Sequence, residues 1–155
     1  MNTELDRKKT CAFTGHRNIR PDFDAELLKS VIKRIVGMGF DTFLCGMALG
    51  FDSVCFGILE EIRKEKDIKI IACIPCLSQS YKYNYRQKRE YERMKAAADE
   101  AVIISEEYTP YCMQKRNMFM VDNCEILVCY LREDRGGTFN TVKYAEKKGV
   151  KIVRV

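Results

Sequence analysis

The residues with the clearest chemical potential are glycines that follow short apolar runs. Residues 45–53 read CGMALGFDS, so an apolar run stops at Gly46 and an amphipathic helical pattern begins a few residues later. Glycine lets the backbone turn tightly and approach a bound group, and the free N–H groups at a helix start attract an anion such as phosphate. Residues 14–17 and 135–138 have the same arrangement. The three corners predict an anion-binding crevice, provided that the fold brings them together.

Two side chains of the first corner could take part in that chemistry. Arg17 stands just after a glycine at the end of an apolar run, and we expect its guanidinium to bind a phosphate rather than to lie free in a solvated loop. His16 could hydrogen-bond a ribose or a phosphate, or titrate during a reaction. An ordinary turn histidine is an equally open interpretation, because no carboxylate stands beside it in the sequence.

Four further polar side chains stand at or inside predicted helix starts. Asp52 could accept a ribose hydroxyl or cap the second helix, and both can hold at once. For Ser53 and Thr138, ligand contact and helix capping are equally open. Arg116 could reach the same crevice or form a surface salt bridge.

The alternation of apolar and amphipathic segments predicts the elements that position these residues. Six apolar strands are expected at residues 10–14, 42–45, 68–74, 101–105, 126–130 and 150–155, with helices between them. Asp22 is expected to cap the first helix, Pro75 to end the third strand, and Met118 and Val121 to face inward from the fourth helix. The pattern predicts a Rossmann-like α/β fold, a doubly wound and mainly parallel sheet with helices on both faces. Every strand-to-helix loop then lies at one edge of the sheet.

Length and composition fit one globular domain over residues 1–155. The chain has 155 residues, of which 46% are hydrophobic and 32% are charged, so a sizeable core can form. A net charge of +5 is compatible with an anionic ligand but is too small by itself to indicate nucleic acid.

The cysteines, the single histidine and the lengths of the apolar runs bear on the compartment of the protein and on whether it binds a membrane or a metal. The eight cysteines lie in or beside apolar runs or near strand ends, and the first residues do not resemble a signal peptide, which indicates a reduced, cytoplasmic protein. No apolar run approaches the roughly 20 residues that cross a bilayer, so no membrane partner is expected. Because His16 is the only histidine and the cysteines do not form two paired clusters, we expect no metal and no cofactor.

With these motifs in view, the chain resembles the SLOG superfamily, a Rossmann-like group that includes DNA-processing A, the Lonely Guy phosphoribohydrolases and small YpsA-like proteins. The resemblance rests on the TGHR opening at residues 14–17, the GxAxGxD turn at residues 46–52, the pair Arg116 and Asn117, and the glycine turn at residues 136–138. It implies a homodimer and a ligand site at the matching positions. Together with the analysis above, the expected ligand-binding residues are Gly15, His16, Arg17, Gly46, Met47, Ala48, Gly50, Asp52, Ser53, Tyr81, Arg116, Gly136, Gly137 and Thr138.

One departure from the group bears on activity. Lonely Guy enzymes carry a GGxGTxxE turn whose glutamate takes part in cleaving an N-glycosidic bond, and the corresponding position here is Lys143. An acid/base role does not transfer to a lysine of opposite charge. The first interpretation is therefore binding without turnover, as a sensor or sequestering protein for an ADP-ribose-, NAD-derived or cyclic-nucleotide-like molecule. The alternatives are a nucleotide N-glycosidic hydrolase and, less favoured, a single-stranded DNA-binding module.

Residues 81–93 have an unusual composition, with tyrosines interleaved with basic side chains. Such a segment could stack bases and neutralise phosphates, either on a single strand or as a lid over a nucleotide. The other interpretation is a charged helix face whose tyrosines pack at its edges. Tyr81 is the expected ligand contact because it stands nearest to the end of a strand.

Cys73 and Cys76 have the CxxC spacing of a redox pair. The first of them, however, lies within a buried strand pattern, whose alternation points it away from the second. We therefore interpret the pair as packing cysteines.

Overall fold

Six parallel strands form a single sheet in the computed structural model, which describes residues 4–155. The strands are β1 (Thr10–Gly15), β2 (Thr42–Cys45), β3 (Lys69–Cys76), β4 (Glu100–Ser105), β5 (Ile126–Tyr130) and β6 (Lys151–Arg154). The helices are α1 (Ala25–Gly37), α2 (Phe51–Arg63), α3 (Tyr85–Ala97), α4 (Cys112–Asp122) and α5 (Gly137–Lys148). A 3₁₀ turn at Arg7–Lys9 precedes the first strand. The α/β fold expected from the sequence is confirmed.

The order of the strands across the sheet is β4-β3-β2-β1-β5-β6. The chain runs outward from β1 to β4, and α4 then carries it back to β5 on the other side of β1. The winding direction therefore reverses between β1 and β5, whose carboxyl ends meet where Gly15 pairs with Tyr130. In open parallel sheets, ligands bind in the crevice outside such a reversal, because the neighbouring loops diverge there.

Each face of the sheet has its own hydrophobic core. Phe13 and Ile70 pack on the face that carries α1, α2 and α3. The adjacent residues Ala12 and Ile71 pack on the opposite face, with α4 and α5. Successive side chains of a strand point to opposite faces, so strands covered on both faces must be apolar throughout. The near-continuous apolar runs of the sequence follow from this arrangement.

The first helix begins two residues later than expected. Residues 20–23 form a turn, closed by a bond from the Phe23 N–H to the Arg20 carbonyl. The cap is therefore Asp24, whose Oδ1 accepts from the Leu27 N–H at 3.0 Å, and not Asp22. Asp22 instead pairs with Arg132 at 3.7 Å.

The third strand continues through Pro75 and ends at Cys76. The last residue of β2, Cys45, pairs with Ala72, so within residues 4–155 β3 has β4 as its only strand neighbour beyond that point. A proline lacks the N–H that a second neighbour would need, and it is tolerated where one side of a strand is free. The expectation that Pro75 ends the strand was wrong for this reason.

The fourth helix presents a different face from the one expected. Val121 is buried as expected, but 36% of the Met118 surface is exposed. The buried positions are Cys112, Arg116 and Met120, which follow one another at intervals of four residues. An arginine belongs to this inward stripe because its guanidinium reaches backbone carbonyls at the edge of the sheet, as described below.

Within residues 4–155, no helix combines the length and the apolar character that crossing a bilayer requires.

Candidate functional site

The first two glycine corners touch each other at the carboxyl edge of the sheet. Gly50 has a φ of +79°, and a Cβ atom at this position would lie 2.1 Å from the Arg17 carbonyl oxygen. The Phe51 N–H donates to the His16 carbonyl at 3.2 Å. Only glycine allows both this backbone conformation and this close approach. Gly50 therefore holds the loop after β1 against the start of α2.

The loop after β1 also contacts the loop after β5. The Arg132 N–H donates to His16 Nε2 at 2.8 Å, and the His16 ring lies edge-on to Tyr130 with 5.7 Å between centroids. That nitrogen of His16 is thus occupied by the backbone, which favours the turn role over a ligand contact. Gly15 also has a packing role, since a Cβ there would lie 2.3 Å from the Phe51 ring.

Asp52 is buried in the second corner without being a helix cap. The N-cap of α2 is Gly50, and Asp52 lies within the first turn of the helix. Asp52 Oδ2 accepts from the Ala48 N–H at 3.1 Å. Its other oxygen, Oδ1, is buried and has no hydrogen-bond partner among the described residues. Burial raises the pKa of Asp52 to about 6, and the Arg116 charge, the Ala48 bond and the Arg17 charge oppose that rise.

Arg116 is buried on the other side of the same turn. Its guanidinium donates to the Gly46 carbonyl and, at 3.4 Å, to the Cys73 carbonyl, while its Nε donates to Asn117 Oδ1 at 2.8 Å. Only 6% of its surface is exposed, so the surface salt-bridge interpretation was wrong. An arginine is held inward because the Gly46 carbonyl, just after β2, and the Cys73 carbonyl, within β3, accept its N–H groups.

Gly46 separates the two charged side chains. A Cβ at Gly46 would lie 2.9 Å from Arg116 Nη1 and 3.0 Å from Asp52 Oδ2. A larger residue would push the carboxylate or the guanidinium away. The glycine therefore allows both charges to approach one point of the backbone.

Gln79, Tyr83 and Tyr91 hold this turn in place, a role that the sequence did not indicate for any of them. Gln79 Nε2 donates to the Gly46 carbonyl at 3.0 Å, and the Tyr91 hydroxyl donates to Gln79 Oε1 at 3.0 Å. The Tyr83 hydroxyl donates to the Met47 carbonyl at 3.5 Å. Met47 has a positive φ of 64°, a conformation uncommon outside glycine that persists where the surroundings impose it. The only sequence signal for Gln79 was its place in a loop that follows a strand.

The third corner is open to solvent. Gly136 has a φ of +96°, and Cβ atoms at Gly136 or Gly137 would have no described atom within 4 Å. No side chain of residues 4–155 caps the start of α5, although Thr138 is buried in its first turn. The N–H groups of this turn are thus free to bind an anion.

A cavity of about 160 Å³ lies between α4 and α5, beside this corner. Gly137 and Asn117 both line it. Asn117 in turn accepts from Arg116, which reaches Gly46. The three corners therefore follow one another along a single edge of the sheet.

The remaining candidate residues lie at the rim. Ser53 donates weakly to the Ala48 carbonyl at 3.4 Å, and Arg17 is exposed. Tyr81 lies in the loop after β3 with 76% of its surface exposed. Lys143, at the glutamate position of the hydrolases, is an exposed residue that pairs with Glu146 at 3.8 Å.

The tyrosine-rich segment divides into two parts. Tyr83 and Tyr91 are buried, whereas Tyr81 and Tyr85 are each 76% exposed. Arg93 is bound by Glu90 on its own helix and by Glu60 on α2, at distances of 2.8–3.0 Å. Half of the segment thus packs as a helix face, and the other half presents aromatic rings to solvent.

The two cysteines of the CxxC spacing are buried and free. Burial raises the pKa of Cys73 to about 12, so this sulfur is a thiol at neutral pH. Both features agree with packing cysteines.

Comparison with known proteins agrees with the motifs at this edge. The family model described as the YspA SLOG family matches residues 13–153, nearly the whole chain. The chain belongs to the YspA SLOG family. A relative of this YspA SLOG protein is the uncharacterized SPbeta prophage-derived protein YoqJ of Bacillus subtilis (strain 168). The two are 34% identical over 120 residues, which cover 68% of this chain and 69% of the relative.

Solved structures of DNA processing protein A have the same fold as this SLOG chain. The Streptococcus pneumoniae protein superposes with a TM-score of 0.70 at 18% identity, over 95% of this chain and 50% of that one. The Helicobacter pylori protein, described by its single-stranded DNA binding mode, gives a TM-score of 0.69 at 16% identity, over 97% and 66%. The SLOG chain thus spans half to two-thirds of these proteins, and at such identity the likeness concerns the fold.

The polar groups at this edge of the SLOG sheet are suited to binding hydroxyl and phosphate groups. A buried carboxylate offers an acceptor, exposed Arg17 offers donors, and a free glycine turn offers backbone N–H groups. Hydroxyl donors and phosphate acceptors complement these groups. In the described part of the chain, no three His, Cys, Asp or Glu side chains form a metal-binding group.

Proposed function

We propose that this SLOG protein binds a nucleotide-derived small molecule at the carboxyl edge of its sheet, as a sensor or sequestering protein. The ligand class is ADP-ribose-like, NAD-derived or cyclic-nucleotide-like. The observation that carries the proposal is the unpartnered, buried oxygen of Asp52 beside the buried Arg116.

An unpartnered buried acceptor costs about 1–3 kcal/mol of stability. Asp52 Oδ1 has no described partner, and other bonds already hold Oδ2 and the Arg116 guanidinium in place. A ligand hydroxyl that donates to Oδ1 would recover part of that cost. The hydroxyls of a ribose are suited to this contact, because they are paired donors next to a phosphate ester.

Two parts of the site are suited to bind the phosphates of such a ligand. Arg17 lies exposed next to the second corner, and its charge contributes to the field at Asp52. At the start of α5, no side chain of residues 4–155 caps the turn, and the space beside Gly136 and Gly137 is open. A guanidinium and a helix start together favour a phosphate or diphosphate.

Calorimetric titration with ADP-ribose, NAD and cyclic AMP tests the proposal, and chromatography of the same mixtures reports any turnover. We expect at least one of them to bind and to be recovered intact. Recovery of free base would favour the N-glycosidic hydrolase. Failure of all three to bind at millimolar concentration would contradict the proposal.

Single-stranded DNA binding is a second candidate, favoured by the exposed rings of Tyr81 and Tyr85. Arg89 lies 5.7 Å from the centroid of the Tyr85 ring, so a base stacked there would also meet a cation. The Helicobacter pylori neighbour is described as binding single-stranded DNA. We rank this candidate second because its local support is limited to these exposed rings and Arg89, whereas the Tyr83 and Tyr91 rings of the same segment are buried.

We also propose a homodimer, because the outer side of β4 carries no strand within residues 4–155. Residues 101–104 of this strand are all apolar, and 44% of the Ile103 surface is exposed. An exposed apolar edge is a template for pairing with another chain. Antiparallel pairing of two β4 strands about a point between Val102 and Ile103 sets Glu100 opposite Ser105, so like charges do not meet.

Light scattering tests this dimer. We expect a dimeric mass for the wild type and a monomeric mass for Ile103→Lys, which would place a charged side chain opposite the apolar Val102 of the paired strand. A monomeric wild type would contradict it.

A further inference from the structure

A cavity of about 220 Å³ lies between the second glycine corner and α3. Its inner wall consists of buried apolar and aromatic side chains from both elements. Its rim carries polar groups, with the lining given by Met47, Ala48, Leu49, Ser53, Tyr83, Arg86, Gln87, Glu90, Tyr91 and Met94.

The walls of this cavity are held in place by hydrogen bonds. Tyr83 and Tyr91 pack edge-on with 5.9 Å between ring centroids, and their hydroxyls are fixed by Met47 and Gln79. Asn84 and the side chain of Gln87 cap the start of α3 reciprocally, with both bonds at 2.9 Å. A cavity built in this way needs little ordering when a ligand enters.

We infer that this cavity takes the base of the nucleotide-derived ligand, and that the base is a purine; the inference rests on the function proposed above. Pockets that hold a whole drug-sized ligand measure about 300 Å³ or more. The cavity is therefore sized for one flat ring system, while the sugar and phosphates lie outside it.

The cavity adjoins the carboxylate of the site through Ala48. Ala48 lines the cavity, and its N–H donates to Asp52 Oδ2 at 3.1 Å. A ribose at Asp52 thus stands one residue from the mouth of the cavity. Met47, whose strained backbone forms the inner wall, lies between the two.

The polar groups of the rim favour a ring with acceptor nitrogens. Gln87 Oε1 accepts from the Asn84 N–H, which leaves the Gln87 amide as a donor. Both oxygens of Glu90 accept from Arg93, so they are occupied. Arg86 adds further donors at the rim. Purine rings present several acceptor nitrogens on their edges and fill more of an apolar cavity than a pyrimidine.

The test compares two ligands that differ by the base alone, AMP and ribose 5-phosphate. We expect the wild type to bind AMP at least about 10-fold more tightly, because the base would stack on the aromatic side chains of the cavity. Ser53→Phe, which fills the cavity, should remove this preference, and Gln87→Ala should reduce it. Lys88→Ala, at an exposed neighbour outside the cavity lining, is the matched control and should leave it unchanged.

Circular dichroism establishes whether the Ser53→Phe protein folds, and Gln87→Ala tests the same site without added bulk. Equal binding of AMP and ribose 5-phosphate by the wild type would overturn the inference. An AMP preference that persists in both folded variants would do so as well. If ADP-ribose binds to the wild type while either of these two results is obtained, only the assignment of the cavity to the base is wrong. If the wild type binds no nucleotide at all, the proposed function itself is contradicted.

Discussion

Asp52 is the residue whose environment differs most from that of an ordinary aspartate. Its pKa of about 6 in the folded protein is above the usual value of 3.8, mainly because the carboxylate is buried. The folded state therefore keeps a proton that the unfolded chain releases as the pH rises from about 4 to 6. Stability falls over that interval, and the cost at higher pH is at most about 3 kcal/mol.

We expect Asp52→Asn to stabilise the unliganded protein at pH 8 and to weaken ADP-ribose binding. An amide can still accept from the Ala48 N–H but carries no buried charge. Urea unfolding of both proteins at pH 4 and pH 8 measures the effect, and the gain of up to about 3 kcal/mol should be absent at pH 4. Asp67→Asn, at an exposed site, is the control. A gain of equal size at both pH values would contradict this account of Asp52.

Arg17 is expected to matter for binding and not for stability. Its side chain is exposed, so Arg17→Ala should leave the Tm of the unliganded protein nearly unchanged. ADP-ribose binding should weaken by about 1.5–3 kcal/mol, the range of a charge-assisted hydrogen bond. Calorimetry compares it with Arg20→Ala, which removes an exposed arginine of the same loop that pairs with Glu133. Equal losses of ADP-ribose affinity in the two variants would contradict a specific contact of Arg17 and indicate a general effect of charge.

The sequence predicted some residues of the site and missed others for a physical reason. Arg17 and Asp52 stand beside glycines at strand ends, so their location follows from local pattern and topology. Gln79, Tyr83 and Tyr91 act through contacts that span 12 to 36 positions. Such contacts depend on how α3 packs against α2, which hydrophobic periodicity does not encode.

Serine substitutions in β3 test whether Cys73 and Cys76 are packing cysteines. Cys73 is fully buried, so Cys73→Ser places a hydroxyl in an apolar core and should destabilise the fold by about 1–3 kcal/mol. Cys76 Sγ lies 3.6 Å from the Ser78 hydroxyl, which a serine at position 76 could also use. We therefore expect a smaller loss for Cys76→Ser in urea unfolding. Binding of ADP-ribose that changes with the redox state of this pair would contradict the interpretation.

Two glycines of the turns, Gly50 and Gly137, have different surroundings, so the same substitution should affect stability at one and binding at the other. Gly50 has a positive φ and lies against the Arg17 backbone, so Gly50→Val should destabilise the fold severely. Gly137 faces open space, so Gly137→Val should fold with little loss of stability and abolish ligand binding by filling the phosphate position. Thermal unfolding and calorimetry measure the two effects. Gly57→Val, within α2 and with no described atom within 4 Å of its Cβ position, is the matched control.

Elements were easier to predict from the sequence than their ends. The strand at Ile126–Tyr130 has the predicted bounds, because its five apolar residues are buried on both faces. Helix α1 begins at Ala25, later than predicted, because residues 20–23 form a turn instead of the first part of the helix. The inward face of α4 was mistaken because a buried arginine breaks the apolar pattern.

For the molecule as a whole, the main question is whether its charge serves a small ligand or a strand of DNA. The net charge is +5, and residues 81–93 hold several of the basic side chains. Each phosphate neutralised on a single strand contributes a slope of about −0.7 in log K against log salt. A ligand with one or two phosphates in a partly desolvated crevice has a much shallower dependence.

The most direct test is a salt series of binding constants for ADP-ribose and a single-stranded oligothymidine, measured by calorimetry. The wild type is compared with a triple variant, Lys82→Glu, Lys88→Glu and Arg89→Glu, whose positions are exposed and outside the cavity lining. We predict ADP-ribose binding with a shallow slope that the triple variant retains and Gly137→Val loses. Tight and steeply salt-dependent binding of the oligothymidine that the triple variant loses, with no ADP-ribose binding by the wild type, would contradict the account and favour DNA as the ligand.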